Sequence, residues 1–188
     1  MKLILASNSP RRKEILKKHG FDFEIKVSDY SEKDEKDPIS TAENNAKGKA
    51  KKVFEMLTNK TDVVVLGADT IVVFEGKIIG KPKDKKDANA TLHRLSGETH
   101  KVITGYALIT SDSEIIGYDE TEVIFNDLSD KLIEEYVETG LPLDKAGSYG
   151  YQDGFPIVKK CIGDIENVIG LPFYKIKNNL LEISKEEL

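Results

Sequence analysis

The sequence has 188 residues with 33 acidic and 28 basic side chains, and its formal charge of -5 disfavours general binding to nucleic acid or to an anionic membrane. The single cysteine, Cys161, excludes an internal disulfide, and no apolar run reaches the ~18 residues of a membrane span. The opening segment, residues 2–5, is too short for a signal-peptide core, so we expect a cytoplasmic protein with a single domain over residues 1–188.

The first predicted strand, residues 3–6, leads through a short loop into a helix that begins at Pro10. The segment ASNSPRR holds two of the chain's three arginines, whereas the other 25 basic residues are lysines. Arg binds phosphate through a planar fork, and a helix N-terminus favours an anion. The segment therefore predicts a phosphate site with Ser7, Arg11 and Arg12; the alternative is a helix start with two solvated arginines.

A strand over residues 21–27, a charged loop over residues 28–37 and a helix over residues 40–58 follow, and we expect Thr41 to cap that helix. Their charged side chains include Glu32, Glu43 and Lys49. Most charges in such segments are simply solvated, so the residues alone assign these three no role. Lys81 is a similar case, although the flanking Gly and Pro of GKP restrict its backbone.

Two apolar strands, residues 63–66 and 71–74, are predicted on either side of GADT. Asp69 is a poor strand residue, and a buried carboxylate is costly unless it is paired or bound to a metal. We expect it at a strand end that faces a cleft, as a general base or a metal ligand. The alternative is a surface turn between the two strands.

The second half of the chain continues an α/β pattern. Its predicted elements are a helix over residues 84–95, an antiparallel pair over 99–110 and 114–126, a helix over 129–139, a strand over 157–162 and a closing segment over 171–183. Gln152 lies in a Gly-rich loop, where its amide suits either recognition of a nucleobase or an ordinary loop. The three histidines and Cys161 show no metal-ligand or nucleophile pattern, and no P-loop sequence occurs.

Six segments carry a family resemblance in their order along the chain. They are LILASNSPRRKEIL, VVLGADTIVV, GKPKDKKDA, LHRLSGETHKVITG, YVETGLPLDKAGSYGYQDG and NVIGLPF. The ordered set covers nearly the whole chain and resembles the Maf family of nucleoside triphosphate pyrophosphatases. The resemblance implies an α/β fold related to the inosine triphosphate pyrophosphatases, with a curved mixed sheet, flanking helices and a deep cleft between two lobes.

The resemblance also implies a reaction and its residues. A nucleoside triphosphate would be hydrolysed between the α and β phosphates with a divalent metal, Mg or Mn, to give the monophosphate and pyrophosphate. Asp69 would be the proton acceptor and Glu32 an acidic residue near the metal. The residues expected around the phosphates are Ser7, Arg11, Arg12, Lys49 and Lys81. A homodimer is compatible with this resemblance.

Three positions resemble the family branch that prefers dTTP and UTP: Arg11, Thr70 and Gln152. The 7-methyl-GTP branch instead has an aromatic residue, Gln and Glu there. The helix start TAENNAKGKA departs from the usual Maf pattern and is similar to the ENAxxKA of inosine triphosphate pyrophosphatases, which leaves the role of Glu43 open. The alternatives are therefore the same chemistry on ITP, XTP or 7-methyl-GTP, or a nucleotide-binding regulator of septum formation.

Overall fold

The computed structural model describes residues 1–186, which form a mixed α/β fold. The strands are β1 (Lys2–Leu5), β2 (Glu24–Ile25), β3 (Val63–Phe74), β4 (Lys77–Ile79), β5 (Thr99–Ile109), β6 (Glu114–Phe125) and β7 (Val158–Ile162). The helices are α1 (Pro10–Lys18), α2 (Pro38–Glu55), α3 (Lys85–Leu95), α4 (Asp130–Glu138), α5 (Ile165–Ile169) and α6 (Phe173–Glu186). None of the helices within residues 1–186 is long and apolar enough to cross a membrane.

The seven strands found in the described chain belong to one mixed sheet with the order β2-β1-β3-β5-β6-β7, and β4 pairs with β3 outside this path. β1 runs parallel to β2 and to β3, whereas β4 is antiparallel to β3 and β7 is antiparallel to β6. The predicted mixed α/β architecture with flanking helices is therefore confirmed. The deep cleft stays a prediction.

The chain divides into two compact units, each with its own core. The first unit comprises Met1–Thr70, Thr104–Asp119 and the segment from Gly170 onward, and the second comprises Ile71–Ile103 and Glu120–Ile169. Buried residues of the first core include Ile4, Ala46, Val53, Val65 and Ile109. Those of the second include Val72, Leu92, Phe125, Tyr136 and Ile157. The expectation of a single domain stays a prediction.

In the first unit, small residues let helix α2 lie very close to the sheet. Ala42, Ala46 and Ala50 recur every four residues, so they share one face of α2, and all are fully buried. A Cβ on Gly67 of β3 would lie 2.2 Å from the Ala46 carbonyl oxygen, and one on Gly105 of β5 would lie 2.3 Å from the backbone of Ala42. Only glycine at both positions permits this approach.

Several element boundaries differ from the sequence-based expectations. Residues 63–74 form one strand rather than two, and the second strand of the chain is only two residues long. The expectation that Thr41 caps α2 was wrong. The N-cap is Asp37, whose side chain accepts a hydrogen bond from the Ser40 N–H at 2.8 Å, and Pro38 lies in the first turn. β4, α5 and two short 3₁₀ helices in the Gly-rich segment were not anticipated.

Candidate active site

Asp69 is a buried carboxylate in the middle of strand β3. Its side chain lies on the same face as Gly67, two residues earlier, and therefore points towards α2. Oδ1 accepts a hydrogen bond from Lys49 Nζ at 2.6 Å and Oδ2 accepts one from Asn45 Nδ2 at 3.1 Å. Because the residue is only 6% exposed, these two donors replace the water that a carboxylate otherwise needs.

The sequence-based expectation for Asp69 was a strand end, and the structure corrects it. The last parallel pair of β3 with β1 is Leu66 with Leu5, and its first antiparallel pair with β4 is Val72 with Ile79. Asp69 lies in the stretch between these two pairings. It therefore occupies the point at which one partner strand has ended, although β3 itself continues.

Lys49 connects two carboxylates. Its Nζ lies 2.6 Å from Glu32 Oε1 and also 2.6 Å from Asp69 Oδ1. The side chain of Lys49 is 15% exposed, whereas that of Glu32 is 53% exposed. A single ammonium thus balances one buried and one accessible carboxylate.

The loop over residues 28–37, which carries Glu32, is held against α2 by hydrogen bonds between the loop backbone and side chains of the helix. The Lys33 N–H donates to Asn45 Oδ1 at 2.9 Å, and Asn45 Nδ2 donates to the Lys33 carbonyl at 3.1 Å. The Glu35 N–H donates to Thr41 Oγ1 at 2.9 Å. A Cβ on Gly48 would lie 2.1 Å from the ring of Tyr30, so the tyrosine packs directly on the helix backbone. These contacts bring Glu32 to Lys49.

Arg12 joins three segments of the first unit. Its Nη1 donates to Ser7 Oγ at 3.0 Å, its Nη2 to Thr70 Oγ1 at 3.2 Å and its Nε to the Gly170 carbonyl at 2.9 Å. Ser7 Oγ also accepts from the Ser9 N–H at 3.2 Å. Three nitrogens of one planar guanidinium therefore hold the loop that contains Ser7 against Thr70, the residue that follows Asp69.

Electrostatics link the two arginines to the acidic residues. Removal from water lowers the pKa of the Arg12 guanidinium below its ordinary value, and the negative charge of Asp69 acts in the opposite direction. The positive charge of Arg11 lowers the pKa of Arg12 further, whereas Glu32 raises it. Arg11, at the N-terminal turn of α1, is thus close enough to act on the same cluster.

The structure gathers seven of the nine predicted site residues in the first unit: Ser7, Arg11, Arg12, Glu32, Lys49, Asp69 and Thr70. Lys81 and Gln152 lie in the second unit, where both are exposed. Gln152 Nε2 donates to Asp153 Oδ1 at 3.2 Å, and Asp153 Oδ2 accepts from the Tyr136 hydroxyl at 2.5 Å. The roles of Lys81 and Gln152 stay predictions.

Burial raises the pKa of Glu43 on α2, whose role stays open.

Two carboxylates of the site suit a divalent cation. Within residues 1–186 no group of three or more His, Cys, Asp or Glu side chains is arranged to hold a metal. Glu32 and Asp69 nevertheless contact the same ammonium, and Mg²⁺ is commonly held by one or two carboxylates together with substrate phosphates and water. The donor set therefore fits Mg²⁺ or Mn²⁺ bound jointly with a phosphate.

Sequence reasoning missed two polar residues at the site. Asn45, which binds Asp69, lies in a polar run that reads as a solvated helix start; the available signal was its position beside the buried face of alanines. Thr104 on β5 is fully buried, and its Oγ1 lies 3.0 Å from Thr70 Oγ1. Its alternating strand context gives no sign of this contact.

The expectation that the histidines and the cysteine are structural stays a prediction. His100 is buried with Nε2 2.8 Å from the Tyr149 hydroxyl, and His19 stacks on Phe173 at 3.8 Å between ring centroids. Burial raises the pKa of the Cys161 thiol, which disfavours the reactive thiolate.

Comparisons with known proteins find relatives that match nearly the whole chain. The family model described as Maf-like protein matches residues 2–183. A dTTP/UTP pyrophosphatase of Bacillus pumilus is 46% identical over 92% of this chain and 92% of its own length. Proteins of the same description from Pyrococcus furiosus and Alkaliphilus metalliredigens are each 47% identical over 93% of this chain and 92% of their own. A crystal structure of a nucleoside-triphosphatase described as dITP/XTP pyrophosphatase, from Mycobacterium abscessus, covers all of this chain and 98% of its own at 15% identity and a TM-score of 0.47.

Proposed function

The chain belongs to the Maf family, and on this basis we propose that it is a nucleoside triphosphate pyrophosphatase that hydrolyses dTTP and UTP to the monophosphate and pyrophosphate. The observation that carries the proposal is the buried Asp69 carboxylate, which Lys49 and Asn45 hold on both oxygens. Curated relatives described as dTTP/UTP pyrophosphatases support the substrate assignment.

The cations of the first unit suit a polyphosphate. A nucleoside triphosphate carries about four negative charges, which must be neutralised before a water attacks phosphorus. The chain's formal charge is -5, so the neutralising charge has to be local. In the proposal Arg11, Arg12, Lys49 and Lys81 supply part of it and the divalent cation would supply the rest, while the Ser7 hydroxyl adds a hydrogen-bonding group beside Arg12.

In the proposed reaction, Asp69 orients a water in line with the α-phosphorus and accepts its proton. The new bond joins the water oxygen to the α-phosphorus, the bond from that phosphorus to the α–β bridging oxygen breaks, and pyrophosphate leaves. Asn45 keeps the carboxylate aimed during this step, since its amide holds Oδ2. Lys49, on its flexible stem, can exchange a carboxylate for a phosphate oxygen.

Glu32 and Asp69 would hold the divalent cation, Mg²⁺ or Mn²⁺, which supplies charge neutralisation at the phosphates when it is bound. Asp69 as chiefly a metal ligand remains the alternative to Asp69 as the base.

Substrate selection rests on the family resemblance. Thr70 fits the dTTP and UTP branch, and its hydroxyl receives a hydrogen bond from Arg12 and lies beside Thr104. In the proposal Arg11 and Gln152 complete the specificity residues and Lys81 binds phosphate. We further propose that the enzyme acts in the cytoplasm, where these nucleotides occur, without a nucleic-acid partner, and that it forms a homodimer, which light scattering after size exclusion measures.

The experiment is a panel of canonical and modified nucleoside triphosphates with Mg²⁺ or Mn²⁺, in which monophosphate, pyrophosphate and orthophosphate are measured separately. We expect equal monophosphate and pyrophosphate, led by dTTP and UTP, and a loss of about 10²–10⁴ in kcat for Asp69→Asn. A purine preference would overturn the substrate assignment, and orthophosphate as the primary product would overturn the cleavage position. Tight nucleotide binding without turnover would favour the septum regulator.

A further inference from the structure

We propose that Asn45 is a positioning residue that sets the distance between Asp69 and the Glu32 loop, defined as residues 28–37. This inference rests on the proposed function, because it concerns the two carboxylates assigned there to the metal. Asn45 itself touches neither substrate nor metal in this assignment; it acts through Asp69 and through the backbone of Lys33.

One side-chain amide makes all three connections. Asn45 Nδ2 donates to Asp69 Oδ2 and to the Lys33 carbonyl, both at 3.1 Å, and Asn45 Oδ1 accepts from the Lys33 N–H at 2.9 Å. An amide has two donor hydrogens and one acceptor oxygen in a fixed plane. Each hydrogen therefore has its own partner, and the relative position of strand β3 and the loop is determined by one rigid group.

Asn45 lowers the stability of helix α2, which indicates that it does more than form the helix. Asn is a weak helix former, yet Asn45 lies inside the 18-residue helix α2 and is only 3% exposed. A buried polar group is tolerated when its hydrogen bonds are satisfied. Here those bonds go to the candidate base and to the loop, and none of them is needed to close a turn of the helix.

Lys49 alone does not fix the spacing. It lies four residues after Asn45 on the same side of α2 and contacts both carboxylates. Its four-carbon stem is flexible, and its ammonium imposes no planar geometry. Asn45 instead holds the backbone of Lys33, the residue adjacent to Glu32, so the loop backbone beside Glu32 is held at a defined position relative to Asp69.

The test compares Asn45→Leu and Asn45→Ala with two matched controls on the same helix. Asn44→Ala removes a contact to the Glu35 side chain of the same loop but none to Asp69. Thr41→Val removes the anchor of the Glu35 N–H and leaves Asn45 in place. The readouts are Mn²⁺ affinity by electron paramagnetic resonance with inorganic phosphate and without nucleotide, kcat for dTTP, and affinity for a non-hydrolysable dTTP analogue in EDTA.

We expect both Asn45 variants to bind Mn²⁺ at least about tenfold more weakly and to lose about 10² in kcat, because a misplacement of 1 Å at a reacting group costs that much. Analogue affinity in EDTA should change less than about threefold, since Ser7, Arg11 and Arg12 are untouched. Asn44→Ala should match the wild type, and Thr41→Val should show a clearly smaller effect. The Ala variant keeps the test available if Leu does not fold.

Wild-type kcat and Mn²⁺ affinity in both Asn45 variants would overturn the inference. Equal losses in Thr41→Val and Asn45→Leu would also overturn it, because loop anchoring alone would then account for them. If the wild-type protein releases no pyrophosphate, the proposed function fails and Mn²⁺ affinity decides alone. Tenfold weakening in the Asn45 variants then supports the spacing role, and unchanged affinity refutes it.

Discussion

Lys49 is the positively charged partner of two carboxylates. We expect its removal to destabilise the protein and a divalent cation to restore part of the lost stability. In Lys49→Met the buried Asp69 carboxylate loses its charged partner, and breaking such a pair costs about 3–5 kcal/mol. We expect a clearly lower Tm in EDTA and a larger rise of Tm on Mn²⁺ addition than in the wild type, measured by differential scanning fluorimetry.

The control for this prediction is Lys47→Met. Lys47 lies on the same helix and pairs with Glu114 at 2.6 Å, with both side chains more than a third exposed. Exposed pairs contribute about 0–1 kcal/mol, so this variant should keep both the Tm and the Mn²⁺ response of the wild type. Identical behaviour of the two variants would show that Lys49 is not the counter-charge of the site.

Replacement of either adjacent arginine by lysine tests whether the planar guanidinium is needed at that position. Arg12 donates from three separate nitrogens to Ser7, Thr70 and the Gly170 carbonyl. A lysine has one donor atom and cannot span these partners, so Arg12→Lys should lose about 2–4 kcal/mol of stability as well as activity. Arg11→Lys should raise KM for dTTP, because lysine lacks the planar fork that binds a phosphate.

Denaturant unfolding together with kcat/KM for both variants checks this contrast. Full kcat/KM in both would mean that fork geometry is irrelevant to either residue. An unchanged free energy of unfolding in Arg12→Lys would show that the three hydrogen bonds of its guanidinium do not hold the segments together.

At the scale of the elements, the site depends on how closely α2 approaches β3 and β5. Gly67→Ala would place a methyl group 2.2 Å from the Ala46 carbonyl oxygen, and Gly105→Ala would place one 2.3 Å from the Ala42 backbone. Such overpacking costs about 1–3 kcal/mol or more. A helix displaced to relieve it carries Asn45 and Lys49 away from Asp69, so we expect kcat to fall by about 10² in either variant.

Gly80→Ala is the control for stability, because a Cβ at this glycine has no neighbour within 4 Å. Its Tm should equal that of the wild type, whereas both α2-facing variants should melt earlier. A Gly67→Ala protein with wild-type kcat would show that the spacing between α2 and β3 does not position the site.

Helices were predictable here because their signals are local. Pro10 begins α1 and Ser129 caps α4, as expected. The start of α2 was misplaced because Pro38 after Asp37 is the stronger signal, and the five-residue α5 was not anticipated. β3 was predicted as two strands since Gly, Ala and Asp have low strand propensity. Its continuity depends on pairing with distant segments of the chain, which no local pattern reveals.

Local sequence signals also pointed to some residues of the candidate site but not to others. Arg12 lies in a short motif that predicts a phosphate site, and Asp69 lies in one that predicts a general base or a metal ligand. Asn45 contacts Asp69, which lies 24 positions away in the sequence, and Thr104 contacts Thr70, which lies 34 positions away. Contacts of that kind arise only when α2 and β5 pack on β3, so their residues look ordinary until the fold is known.

At the scale of the whole molecule, His100 makes the free energy of unfolding depend on acidity. Burial lowers the pKa of His100 in the folded protein from 6.5 to about 4. The unfolded chain therefore binds the proton more readily than the folded chain between these values. The contribution of His100 is complete above pH 6.5 and is lost as the pH falls towards about 4, at 1.36 kcal/mol per pKa unit, a total of about 3 kcal/mol.

Urea unfolding of the wild type and of His100→Gln at neutral pH and at about pH 4.5 measures this contribution, and the variant should lose about 2–3 kcal/mol less on acidification. His93→Gln is the matched control: the Asn89 carbonyl raises the pKa of exposed His93, so its small contribution has the opposite sign and is lost as the pH rises. An equal acid loss in His100→Gln and the wild type would show that other groups carry the pH dependence, because the buried imidazole is the one group that this substitution removes.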